Sequence, residues 1–254
     1  MKFIKAIYSI YAAITFIAVM LLIFPFAIIS SFFGRIRGGN MVYRLCIVWA
    51  DLWFPLIGVW HKRIFEVPHD KTKQYIFVTN HISYLDAAII PKAYRQPVRP
   101  LGKVEMSKVP VFGFIYRNAI VTVDRSSPEN RASSVRVLKS IISKGISVLV
   151  FPEGTFNMGT TPLKDFYDGA FRVAIETQTP VKPVLFLDAY TRMPYESLFL
   201  MTPGKSRIVY LDEIPVNGYT LENVKELKDK VYAVMEKKLV EYNAAWRKLS
   251  ANKN

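Results

Sequence analysis

Apolar positions run almost unbroken at the start of the chain and become periodic further on. No charged residue lies between Lys5 and Arg35, and the stretch from Ile7 to Ile29 is apolar apart from Ser9 and Thr15. Such a run is long enough for a helix to cross bilayer hydrocarbon, which takes about 20 residues. It is longer than the apolar core of a signal peptide, about 7–15 residues, and Ser30-Ser31-Phe32-Phe33 makes a poor cleavage site, so the segment is read as retained. Lys2 and Lys5 precede it and Arg35, Arg37 and Arg44 follow it. Basic flanks on both sides favour two cytoplasmic ends, on an inner or plasma membrane. Pro25 is placed to break the helix near its far end, so a hairpin dipping into one leaflet competes with a single span. Tyr43 to Val59, carrying Trp49, Trp53, Phe54 and Leu56 beside Arg44 and Asp51, reads as an interfacial amphipathic stretch.

Beyond residue 60 short β-branched and aromatic runs predict strands at Trp60–Val67, Tyr75–Val78, Ala119–Val123, Val148–Phe151, Val184–Leu187 and Arg207–Leu211. Between them, Val135, Leu138, Ile141 and Ile142 fall at helical spacing and stop at Gly145, a helix end. Val224, Leu227, Val231, Met235 and Leu239 form the stripe of a C-terminal amphipathic helix. The alternation predicts an α/β fold, divided as a membrane-anchoring helical segment over residues 1–60 and an α/β domain over residues 61–254.

The chain has 254 residues, 51% of them hydrophobic, enough for a full core. Its 34 Lys and Arg against 20 Asp and Glu give a net charge of +14, which calls for an acidic partner. Nucleic acid is not expected to be that partner, because no helix gathers its cations on one face with base-reading side chains. Cys46 is the single cysteine, so internal disulfides and cysteine–zinc clusters are excluded and no metal is expected. Leu200 to Ser206 ends like a phosphate-binding loop, but Phe199 stands where the first glycine would be and the segment leads into a strand, so it is read as a turn. No Gly-x-Ser-x-Gly elbow occurs.

The three histidines separate by context. His61 lies in a strand with Glu66 on the opposite face, and His69 sits in a Pro68-His69-Asp70 turn; both read as surface or turn residues. His81 follows the end of a strand, and Ser83-Tyr84-Leu85-Asp86 has the spacing of a capping box. If the chain turns there, Asp86 projects from the first helical turn back to the His81 ring, an approach that neither a regular strand nor a regular helix allows. A carboxylate on one ring nitrogen fixes the tautomer and leaves the other as a general base. With no protein nucleophile adjacent, the nucleophile would be a hydroxyl of the substrate.

Asn80-His81-Ile82-Ser83-Tyr84-Leu85-Asp86 resembles the His-x4-Asp box of the glycerolipid acyltransferases, most of all the 1-acylglycerol-3-phosphate acyltransferase family. Three further blocks follow in that family's order: Lys103-Val104-Glu105-Met106 leading through Pro110 and Gly113 to Val123-Asp124-Arg125, then Phe151-Pro152-Glu153-Gly154-Thr155, then Val181-Lys182-Pro183-Val184. The resemblance covers about residues 60–190. It implies a single mixed-sheet domain of that type, in which His81 deprotonates the acceptor hydroxyl, Asp86 orients it, and the alcohol attacks the thioester of acyl-CoA or acyl carrier protein, with no further cofactor. Asn80, Lys103, Arg125, Glu153, Gly154 and Thr155 carry over as substrate-binding residues: Lys103 and Arg125 for a phosphate, backbone amides around Gly154 for the oxyanion, Glu153 for fixing the loop or accepting from a substrate hydroxyl. The implied partners are membrane lipids, a lysolipid acceptor and the thioester donor. Two departures matter. Phe156 stands where an arginine commonly follows the threonine, and Phe166-Tyr167-Asp168-Gly169 replaces a Phe-Lys-x-Gly block. The acceptor is therefore either lysophosphatidate, held by Lys103 and Arg125, or another lysolipid or hydroxylated lipid; a lipid-binding or hydrolytic protein on the same scaffold is the third reading.

Overall fold

The computed structural model describes residues 2–123 and 128–246. Two long helices, α1 (Lys2–Ser31) and α2 (Gly39–Leu56), are joined through a π-helical turn at Gly34–Gly38. There follow β1 (Val59–Phe65), β2 (Ile76–Thr79), α3 (Leu85–Ala93), β3 (Val98–Lys103), a 3₁₀ turn (Val104–Lys108), α4 (Phe112–Ala119), β4 (Val121–Val123), α5 (Pro128–Ile142), β5 (Ser147–Val150), α6 (Gly169–Thr177), β6 (Val181–Phe186), α7 (Ala189–Arg192), a second 3₁₀ turn (Leu198–Leu200), β7 (Gly204–Tyr210) and α8 (Val224–Glu241). The strands form one mixed sheet in the order β1-β7-β6-β2-β5-β3-β4. Only the β6–β7 pairing is antiparallel among these neighbours.

The central strands are buried on both faces, and their period of two divides the core in two. Tyr75, Phe77, Leu149, Val184 and Phe186 point toward α1–α4. Ile76, Val78, Val148, Val150, Val181 and Leu185 point toward α5, α6 and α8. All five residues of the α8 stripe are buried in that second layer. β2, β5 and β6 run parallel side by side, with Val78 paired to both Val150 and Pro183, so their carboxyl ends open together on one edge. Loops leaving that edge are where an open α/β sheet places its site.

Three expectations change. The strand expected from Ala119 is shorter, because Ala119 ends α4 and pairing begins at Val121. β3 has no β-branched run: Val-Arg-Pro-Leu-Gly-Lys is held as a strand by neighbours on both sides, β5 over residues 98–100 and β4 over 101–103. Pro25 does not end α1, which continues to Ser31.

α2 folds back antiparallel along α1. Trp49 and Trp53 donate their indole N–H groups to the carbonyls of Phe16 (3.3 Å) and Ala12 (3.0 Å), and Tyr8 and Tyr11 donate to the carbonyls of Ile57 and Leu56. The hairpin is fastened at both ends. Arg99, on β3, donates to Asn40 Oδ1 (2.7 Å) and the Ile36 carbonyl at the tip, while the Met201 amide donates to Ser9 Oγ (3.0 Å) at the base. It therefore lies along the domain, against α3, α4, β1 and the second 3₁₀ turn, instead of standing away from it. The inner face of α1 packs into the first core layer through Ala12, Val19, Met20, Ile23 and Ala27, and its outer face exposes Ile4, Ile7, Ile14, Leu21, Leu22, Phe26 and Ile29. α1 is long and apolar enough to cross a membrane, at about 45 Å for its 30 residues.

Trp53→Ala, which removes a buried indole and its hydrogen bond to the hairpin partner, should cost about 3–5 kcal/mol in a denaturant titration in detergent. Ile14→Ala, on the exposed face of the same helix, should stay within about 0.5 kcal/mol in the same measurement.

Candidate active site

The site begins where β2 stops. Asn80 extends the sheet with its carboxamide: Oδ1 accepts from the Phe186 amide at 2.8 Å and Nδ2 donates to the Phe186 carbonyl at 3.0 Å, reproducing one rung of a ladder. The next residue, His81, is turned out of the sheet and held by its backbone. Its N–H donates to Glu153 Oε1 at 2.7 Å and its carbonyl accepts from the Asn157 amide at 2.8 Å.

Asp86 is fully buried in the first turn of α3. Its Oδ2 lies 2.9 Å from His81 Nδ1 and accepts from the amides of Ile82 (2.7 Å) and Ser83 (2.9 Å). Ser83 Oγ accepts from the Leu85 amide and donates to the Met193 carbonyl. The capping box and the histidine–carboxylate pair are thus one arrangement: the carboxylate that caps the helix also makes Nδ1 the protonated nitrogen. Nε2 carries no hydrogen bond among the described residues. The ring stacks on Phe151 (4.1 Å between centroids) and meets the edge of Phe156 (4.4 Å), which in turn meets Tyr84 (4.7 Å). Phe156, where a cation was expected, instead braces the imidazole. Thr79 and Ser83 are the nearest hydroxyls in sequence; Thr79 Oγ1 is paired with the Tyr94 hydroxyl, and both roles of Ser83 are taken by backbone. A nucleophile has to come from a ligand.

The Phe151–Thr155 loop sits beside His81. Glu153 is fully buried, and its two oxygens bridge separate segments, Oε1 to the His81 amide and Oε2 to the Lys164 amide (2.9 Å). Burial pushes its carboxyl up to about 7, against the opposing pull of those two amides. With both oxygens committed, Glu153 positions the loop and does not touch substrate. The Asn80 carboxamide is likewise bonded to backbone, through Phe186. Gly154 adopts φ +72°, a conformation open to glycine at little cost, and its amide donates to the Phe151 carbonyl at 3.1 Å. That bond removes the Gly154 amide as an oxyanion donor. The amides of Thr155 and Phe156, immediately following, make no hydrogen bond among the described residues and are the available donors. Thr155 is exposed, and its Oγ1 accepts from Lys164 Nζ at 2.9 Å.

Lys103 lies exposed at the end of β3, on the wall of a cavity of about 460 Å³ that also includes Phe151, Gly154, Thr155 and Asp168. Arg125 and Asp124 lie outside the described residues. On the other side of His81 a larger, almost wholly apolar cavity of about 730 Å³ runs between the hairpin and α3–α4, from Ala12, Phe16 and Trp53 to Tyr84 and Leu85. Among the described residues no group of three His, Cys, Asp or Glu side chains could hold a metal ion.

His61 and His69 are half-buried, His61 on β1 and His69 in the connection from β1 to β2. Both His61 ring nitrogens are buried without a partner among the described residues, and its ring meets the edge of Phe54 at 4.3 Å. Burial, aided by Lys92, pushes it down to about 3. His69 packs among Phe65, Tyr75, Phe77 and Tyr210, with Nε2 3.2 Å from Gln96 Oε1. The residues that sequence reasoning missed are Asn157 and Lys164; both act across the loop, where no local spacing announces them.

Residues 63–187 match the family model described as Acyltransferase. A 1-acyl-sn-glycerol-3-phosphate acyltransferase of Haemophilus influenzae is 28% identical over 200 residues, 76% of this chain and 80% of that one. A putative 1-acyl-sn-glycerol-3-phosphate acyltransferase of Caenorhabditis elegans is 31% identical over 206 residues, 78% of this chain and 70% of that one. In fold, the chain is similar to the crystal structure of the 1-acyl-sn-glycerophosphate acyltransferase PlsC from Thermotoga maritima, with a TM-score of 0.73 at 22% identity, covering 96% of this chain and 100% of that one.

His81→Ala should lower kcat by about two to four orders of magnitude, the worth of a positioned general base, with a smaller change in KM. Asp86→Asn keeps a capping side chain, so a role confined to capping would leave turnover near normal; as the orienting partner of His81 its loss should cost about 10²-fold or more in kcat. For Glu153 the folded pKa lies above the unfolded value. Its contribution to stability is therefore fully present below about pH 4.5 and is lost as pH rises through about 7. Subtracting the melting profile of Glu153→Gln from that of the wild type should leave a difference that declines across that window.

Proposed function

This chain belongs to the 1-acylglycerol-3-phosphate acyltransferase family, and on that premise we propose that it transfers a fatty acyl group from acyl-CoA or acyl carrier protein to the free hydroxyl of lysophosphatidic acid, giving phosphatidic acid. The observation that carries the reading is His81, with Nδ1 fixed by Asp86, Nε2 without a hydrogen bond among the described residues, and its ring linked through Phe151 to a cavity lined by Lys103 and through Phe156 and Tyr84 to a larger apolar one.

In this reading Nε2 takes the proton of the acceptor hydroxyl as its oxygen attacks the thioester carbonyl. Asp86 stabilises the imidazolium that forms. The carbonyl oxygen, now an anion, is met by the amides of Thr155 and Phe156. Collapse of the tetrahedral intermediate breaks the carbon–sulfur bond, and the departing thiolate receives the proton from Nε2, so one ester and one thiol leave and His81 is restored. The thioester brings its own activation, and the scheme needs no metal or redox cofactor. The apolar cavity fits a fatty acyl chain, whose burial there is favoured by about 0.8 kcal/mol per methylene.

The outer face of α1, apolar along its length and bounded by Lys2, Lys5, Arg35 and Arg37, fits the surface of an anionic membrane. A hairpin laid along the domain favours insertion into one leaflet over a span, with the site on the cytoplasmic side. Because the apolar cavity is walled by this hairpin, an acyl chain can reach it from the lipid. Phe156 at the position of the missing cation favours a second reading, an acceptor without a terminal phosphate.

The test is an acceptor and donor matrix with purified protein in mixed micelles: lysophosphatidate, other lysophospholipids and monoacylglycerol against acyl-CoA and acyl carrier protein thioester. Phosphatidate should be the fastest product formed. Faster turnover of monoacylglycerol would move the chain to the second reading, and release of free fatty acid without ester would make it a hydrolase.

A further inference from the structure

The family resemblance places a cation directly after Thr155, and this chain has Phe156 there, packed against the His81 ring. A cation nevertheless reaches the neighbouring Thr155 from the other side of the loop. Lys164 Nζ donates to Thr155 Oγ1 at 2.9 Å, and Thr155 lines the cavity that Lys103 also lines.

Two features of Lys164 bear on this cavity. Its backbone amide is held by Glu153 Oε2 while His81's amide is held by Glu153 Oε1, so base and cation share one buried carboxylate as their common anchor. Its ammonium has no carboxylate partner among the described residues. Other lysines around the domain are neutralised: Lys228 by Asp168 (2.7 Å), Lys139 by Glu176 (2.5 Å), Lys238 by Glu66 (2.9 Å) and Lys92 by Asp51 (2.7 Å). The pairing of Asp168 with Lys228 matters in particular, because it offsets the carboxylate on the cavity wall and leaves Lys103 on that wall, and Lys164 bonded to the wall residue Thr155, as net positive charge. A hydroxyl is a weak partner for an ammonium, and a phosphate oxygen replaces or shares it readily.

We infer that Lys164 is a specificity-determining residue that binds the anionic headgroup of the acceptor, taking from the far side of the loop the place that Phe156 leaves without charge. The inference rests on the proposed lysolipid acyltransferase reading and names the acceptor class within it, a lipid with a phosphate close to the reacting hydroxyl. It also explains how Phe156 can brace the imidazole without loss of the anion site.

The experiment compares wild type, Lys164→Ala and Lys164→Arg in mixed micelles with lysophosphatidate and with monoacylglycerol. The alanine variant keeps the backbone bond to Glu153, so it removes the cation and spares the loop. Lys164→Ala should raise KM for lysophosphatidate about 10- to 100-fold with kcat changed far less, the scale of one charge-assisted hydrogen bond. Its effect on monoacylglycerol should be at least tenfold smaller, and Lys164→Arg should recover most of the loss. If the wild type prefers lysophosphatidate and Lys164→Ala leaves that KM unchanged, or lowers kcat equally for both acceptors, the assignment of Lys164 is overturned while the acyltransferase reading stands. If the wild type acylates only monoacylglycerol, the phosphate-bearing acceptor and the role of Lys164 fall together.

Discussion

One oxygen atom, Asp86 Oδ2, receives three N–H groups, from His81, Ile82 and Ser83, in a place with no access to water. A carboxylate so buried is tolerated because a turn of fixed shape gathers three donors on Oδ2, while Oδ1 is buried without a partner among the described residues, and the same turn aims the imidazole. Starting α3 and orienting His81 are therefore not separable tasks. Chain reversal at the end of β2, helix initiation and the choice of histidine tautomer are three outcomes of one electrostatic requirement. The rest of the site is arranged around holding that turn still: Asn80 stitches its entry to β6, Glu153 and Asn157 clamp the His81 peptide on both sides, and Phe151 and Phe156 confine the ring.

The two-sided sheet accounts for the separation of the cavities. The larger one is built from residues of the layer facing α1–α4, the smaller one from Leu138, Val150 and Ala170 of the layer facing α5 and α6. His81 stands at the carboxyl edge of the sheet where the two layers meet. In the proposed reaction the apolar cavity would take the acyl chain and the smaller one the headgroup, so that the two need not share a pocket.

Much of this was legible in the sequence, and the limits have physical causes. The α8 stripe and the apolar runs of β2, β5 and β6 declared themselves because burial writes a period into the chain. The His81–Asp86 pair was legible because five residues spanning a strand-to-helix turn admit few geometries. β3 was not, since a strand held from both sides can dispense with propensity, and Arg99 and Pro100 masked it. The backbone commitments of Asn80 and Gly154 were hidden for another reason: whether an amide is free depends on a partner's position. Lys164 reaches Thr155 across an intervening loop, a contact that no local spacing records.

The hairpin has a practical side. Its inner face is part of the core and its two ends are pinned to the domain by Arg99 and Ser9, so cutting α1 away would open the first layer instead of freeing a water-soluble enzyme. The route to a soluble form runs through repainting. Polar side chains at Ile7, Ile14, Leu21 and Phe26, all exposed, would break up the apolar outer face while leaving the buried side of the helix in place.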